Sequence, residues 1–159
     1  MKNPLLLLCR HLTLRRHRSP VPTGLLTLTA VHSAVVFVDP AQADAEAVCG
    51  EVRRFFDDNG IMVRVLCPRR QDLNWMGCRK SRLRTEDGPW EVDLFISLAG
   101  SPEDFAAEFE ARCCPARFKV GRFQLPGDVF DLVVGQPEDA PAGQAAVFAA
   151  MKDYLQKIR

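Results

Sequence analysis

Candidate chemistry in this chain falls on two sets of residues. Asp39, Arg69, Arg70, Gly100, Ser101 and Arg122 each follow an apolar run of strand character. Ala99-Gly100-Ser101 leads into an expected helix whose first N–H groups can face an anion. Arg69, Arg70 and Arg122 are the cations that would neutralise a phosphate there. Neither GxGxxG nor GxxxxGK followed by Ser or Thr occurs, and Ser101-Pro102 reads equally well as a helix cap with proline at the first position. The second set is the basic segment Asn74, Trp75, Met76, Gly77, Cys78, Arg79 and Lys80. Its Trp75 is suited either to stacking on a base, sugar or partner side chain or to pinning a long loop. Asn74, Trp75, Arg79 and Lys80 are its candidate contacts.

Catalytic constellations are thin. His11, His17 and His32 all precede the first expected strand, and no Ser/His/Asp arrangement or GxSxG elbow is visible. Asp57-Asp58 reads as solvated surface, which leaves Asp39 as a lone candidate base. Cys9, Cys49, Cys67, Cys78, Cys113 and Cys114 show neither a CxxC pair nor paired Cys/His zinc spacing. Reduced thiols in a cytoplasmic protein are the expectation, with no cofactor and no metal.

The net charge of +1 conceals a strong segregation. No acidic residue precedes Asp39, whereas Lys2, Arg10, Arg15, Arg16 and Arg18 all do. A second basic run holds Arg64, Arg69, Arg70, Arg79, Lys80, Arg82 and Arg84. Such patches attract anionic partners: a protein, RNA or a membrane surface. Leu5 to Leu8 is too short for a signal-peptide core and lacks a small residue for cleavage. Residues 4 to 18 instead suggest a short helix with Leu5, Leu8, Cys9 and Leu12 on one side, docked on its own domain, a membrane or a partner. Docking on its own domain is the first expectation. No stretch is long enough to span a bilayer.

Regular elements must position these residues. Ala34–Val38 is a β-branched apolar run, the mark of a strand buried on both faces. A helical period over 41–59, a stop at Asn59-Gly60 and a second strand over 61–66 complete a crossover unit, which makes right-handed parallel neighbours. Residues 69–90 read as a long irregular loop. Strands are expected at 90–98, 117–121 and 129–134. Helices are expected from Ser101 to before Pro115 and from about Pro141 to Ile158. The chain thus reads as a basic arm over 1–30 and one α/β domain over 31–159. That domain is an open, mostly parallel, five-stranded Rossmann-like sheet with helices on both faces. Asp93 and Asp131 precede their strands and read as structural.

Four ordered segments carry a resemblance. They are Leu73-Asn74-Trp75-Met76-Gly77, Val92-Asp93-Leu94-Phe95-Ile96-Ser97-Leu98, Ala116-Arg117-Phe118-Lys119-Val120-Gly121 and Phe130-Asp131-Leu132-Val133-Val134. With the closing Tyr154-Leu155-Gln156-Lys157-Ile158, their order resembles an uncharacterised Bacteroidota domain-of-unknown-function family. Its segments are FNWFGKP-like, FDLLINL-like, AKFKVG-like and YDLMI-like. Leu73 and Met76 stand where that family tends to have aromatics, and Cys78-Arg79 replaces its Lys-Pro. The resemblance implies an α/β domain of bacterial origin and no activity. A looser, fold-level likeness is to the N-terminal half of heptosyltransferase-type glycosyltransferases. Functionally the sequence points first to a non-catalytic cytoplasmic binding or interaction module. The alternatives are a small nucleotide- or phosphate-binding transferase-like enzyme and an RNA- or ribosome-associated protein.

Overall fold

In a computed structural model, which describes residues 2–87, 91–135 and 143–158, the run Ser33–Phe37 is strand β1 and every residue in it is buried. Ala34 and Val36 pack toward helices α2 (Ala45–Asp58) and α5 (Gln144–Lys157). Val35 and Phe37 pack toward helix α4 (Phe105–Cys113) on the opposite side. Cover on both faces is why the strand is continuously apolar and does not alternate. Val48, Cys49, Val52, Phe55 and Phe56 form the buried stripe of α2, at helical spacing.

Strands β2 (Met62–Leu66), β3 (Leu94–Ser97), β4 (Phe118–Gly121) and β5 (Leu132–Val133) complete a sheet in the order β2-β1-β3-β4-β5. Every pairing is parallel, so the expected Rossmann-like α/β sheet is parallel throughout. The chain winds away from β1 in both directions. The crevice at the C-terminal ends of β1 and β3 is therefore the topological switch point, where such sheets bind ligands.

Element ends differ from the sequence reading where side chains compete for backbone. The Asp39 carboxylate accepts the Ala41 N–H, so residues 41–44 form a turn and α2 starts only at Ala45. Ser101 does not cap α4. Its hydroxyl accepts from the Glu103 N–H, and Asp104 caps the helix by accepting the Ala107 N–H. β5 shrinks to two residues where the Asp131 carboxylate accepts the Lys119 N–H and the Thr23 hydroxyl. Gly121 ends β4 against the Phe130 ring, which a Cβ at that position would meet at 2.5 Å. Trp90, Asp87-Gly88-Pro89 beyond Asp87, and Pro141 lie outside the described residues.

At the N-terminal edge Asp93 is structural, as its position implied. Its carboxylate accepts from the His32 and Ser33 N–H groups and from Arg117. Burial alone would raise this carboxyl, but the His32 N–H, Arg117 and Ser33 N–H together hold it below its ordinary value. The arm is helix α1 (Pro4–His17), capped by Asn3, whose side chain accepts the Leu5 and Leu6 N–H groups. Ser19 and Gly24 then donate to the Arg112 and Arg117 carbonyls, tying the segment after α1 along the sheet edge.

Candidate binding surface

The switch point gathers Asp39, Gly100, Ser101 and Arg122, and its own side chains fill it. Asp39 Oδ2 accepts the Gly100 N–H at 3.1 Å. Gln144, fully buried, receives the Asp39 N–H on Oε1 and donates from Nε2 to the Asp39 carbonyl. Asp44 joins by accepting from Gln144 Nε2 and the Ala145 N–H. Gly100 is hemmed in: a Cβ there would lie 2.8 Å from the Gln42 amide. Arg122 is only 9% exposed. It donates from Nη1 to the Leu98 carbonyl at a long 3.4 Å, and its Nε has no hydrogen-bond partner among the described residues. Burial lowers its pKa, with Asp39 and Asp44 opposing. The free space bordered by Ser101, Asp104 and Arg122 is about 20 Å³, room for a water molecule. Arg69 and Arg70 are exposed on a 3-10 turn after β2 and do not join this group.

The segment expected to be an irregular loop is organised. Leu73 and Arg79 pair in an antiparallel bridge. Between them the Asn74 side-chain oxygen Oδ1 accepts the Met76 and Cys78 N–H groups, and Gly77 supplies a left-handed φ of +94°. Helix α3 (Ser81–Glu86) follows. Arg79, an expected partner contact, is buried and serves another purpose. Its Nε donates to Glu110 of α4 at 2.6 Å and its Nη2 to Asp87 at 2.7 Å. Burial opposes its charge, yet Glu110 and Asp87 raise its pKa overall. Asn74 is likewise internal to the turn. Trp75 and Lys80 are exposed, Trp75 at 69%. Trp75 is therefore not the pin of the loop, because Asn74 and Arg79 hold it.

This turn is bonded to the arm. Arg10 Nε donates to the Met76 carbonyl at 2.7 Å, the Thr13 hydroxyl reaches Met76 Sδ, and Arg10 stacks over Phe105 at 4.5 Å. Leu14 packs on Cys78, Phe105 and Phe109, and His17 meets Phe109 edge-on. The docked side of α1 is thus Arg10, Thr13, Leu14 and His17. The side bearing Leu5, Leu8 and Leu12 faces away, at 62, 54 and 53% exposure. Helical spacing identified that apolar side but gave no means of knowing that a mostly polar side would dock.

Three large cavities among the described residues have the arm region as one wall. One of about 730 Å³ lies between His17, Arg64, Arg84, Asp87 and Glu110, where the short α3 leaves the sheet partly uncovered. One of about 640 Å³ runs along Leu6, Leu7, Arg10 and Leu14 beside Phe105. A third, of about 560 Å³, gathers Arg15, Arg18, Arg112 and Lys119 against the turn at Gly127 and Asp128. The two thiols that line the first of these cavities are held protonated: burial pushes Cys113 up to about 12 and Cys114 to about 11. All six cysteines are free. No cluster suited to a metal ion exists among the described residues. Comparison of the chain with family models, curated proteins and solved structures finds no match.

Proposed function

We propose that this chain is a non-catalytic, cytoplasmic binding module whose α1 and 73–80 turn act as one surface for an anionic partner. The observation that carries this reading is the Arg10–Met76 bond, with Thr13 beside it, which joins the two basic segments into one structural unit. Arg15, Arg16 and Arg18 are exposed and have no ion pair among the described residues. Their charge is available to a partner, whereas that of Arg79 is spent inside the fold. The resemblance to the Bacteroidota family adds no activity, so the reading rests on this geometry.

A transferase-like use of the switch point is the weaker reading, because the space beside Arg122 holds little more than water. Retention on heparin, a generic polyanion, tests the proposal. The wild-type chain is expected to bind in a salt-sensitive manner. Replacing Arg15, Arg16 and Arg18 by Glu should abolish retention and leave the melting temperature unchanged. Equal retention of that variant overturns the reading.

A further inference from the structure

Of the nine exposed large apolar side chains among the described residues, Leu25, Met62, Val133 and Tyr154 lie on other elements, and five gather at the arm. Leu5, Leu7, Leu8 and Leu12 all lie on α1, and Trp75 lies on the turn bonded to it. Leucines circle the first two turns of α1, and the domain covers one side only. An exposed leucine by itself is ordinary, but a cluster on one short element marks an interaction surface. The charge carried by the arm itself is of one sign, although Glu103 and Glu108 of the domain border the cavity beside Leu6 and Leu7. Lys2, Arg15, Arg16 and Arg18 are exposed on the same segment, Lys80 is exposed beyond Trp75, and residues 2–38 contain no carboxylate side chain. Leucines and a tryptophan rimmed by Lys and Arg match the two layers of an anionic bilayer surface, acyl boundary and headgroup. An RNA would use the cations and leave the leucines in water. A spanning role is not involved, since no helix among the described residues is long and apolar enough to cross a membrane.

We infer that the occupant of this surface is an anionic lipid bilayer. On it the leucine-rich first turns of α1 insert Leu5, Leu8 and Leu12, Trp75 stands at headgroup level, and the arginines at the end of the helix meet lipid phosphates. This inference rests on the proposed anionic-partner reading and names its partner. The domain need not refold to bind, because the inserted side of α1 is the side its own core leaves free.

Cosedimentation with vesicles, using the full chain, tests it. Binding is expected to equimolar phosphatidylcholine and phosphatidylglycerol, and not to pure phosphatidylcholine. Trp fluorescence should shift to the blue on binding, and the shift should disappear in Trp75→Phe. Replacing Leu5, Leu8 and Leu12 by Ser should weaken partitioning by about tenfold per leucine. Reversing Arg15, Arg16 and Arg18 to Glu should weaken it by about fivefold or more per position. Both variants should melt as the wild type does. Heparin retention without vesicle binding, or binding to a homopolymeric RNA in place of vesicles, overturns the lipid assignment and leaves the anionic-partner reading standing. Failure on heparin and vesicles alike overturns both.

Discussion

The switch point and the arm surface are built on opposite plans. At the switch point the buried polar groups bond to one another: Asp39 holds Gly100 and Ala41, Gln144 holds Asp39, and a water-sized space remains. At the arm the polar groups do the docking, through Arg10, Thr13 and His17, while leucines and arginines are left in solvent. A polar crevice satisfied by its own side chains contributes rigidity and offers a ligand little, because a ligand must first displace those bonds. An exposed apolar and cationic face offers a partner both burial and charge neutralisation. The fold places a ligand crevice where all such sheets do, and this sequence closes it.

The sharpest way to break this contrast is through the bond that holds the arm's platform. Arg79→Met removes the cation between Glu110 and Asp87 and leaves the buried Glu110 unpaired. A loss of about 3–5 kcal/mol is expected in urea unfolding, because the remaining charge is uncompensated. A near-neutral result would mean that the 73–80 turn is held by something else. Next, Gln144→Ala strips the partners from Asp39 N and O. It should cost about 2–4 kcal/mol in stability and leave heparin and vesicle binding at the wild-type level. Weakened binding there would join the two regions that the structure separates.

Arg122→Met gives a smaller effect of unusual sign. Among the described residues this buried guanidinium has one long hydrogen bond, an Nε without a partner and a stacking contact over Phe123, so it gains little from its charge. Replacement by a hydrophobic side chain of similar length should be neutral or stabilising by about 1 kcal/mol. Clear destabilisation, or a nucleotide-induced rise in the wild-type melting temperature that the variant lacks, would show the crevice to be a working site. The smallest effect concerns His17. Burial, then Arg84, then Arg16 lower its pKa in the docked state. A histidine with a lowered folded pKa contributes stability above its unfolded value of ~6.5, and loses it as pH falls through the folded value. Docking of α1 should therefore loosen on acidification. Thr13 and Leu14 chemical shifts, followed from about pH 7.5 to about pH 5.5, should move in the wild type and stay fixed in His17→Gln.

Much of the scaffold was legible because its signals are local. The continuous apolar run of β1, the helical stripe of α2 and the order of strands and helices each follow from short-range periodicity. Boundaries failed where a single carboxylate or hydroxyl captured a backbone N–H, as Asp39, Ser101 and Asp131 do. The site was legible in composition only. Charge segregation picked out the arm and the 69–84 segment, and Trp75 and Lys80 are exposed there. The inward role of Arg79 depends on Glu110, thirty-one positions away, and nothing in either residue's neighbourhood announces the pair. The same holds for Arg10 and Met76, which unite the two basic segments across the fold.

The most direct test of the central claim is a nuclear magnetic resonance titration of the isotope-labelled chain with a short heparin oligosaccharide. Amide shifts are expected to concentrate at residues 2–18 and 73–80, with Asp39, Gly100, Ser101 and Arg122 unmoved. Shifts centred on Gly100, Ser101 and Arg122, with α1 unchanged, would contradict it.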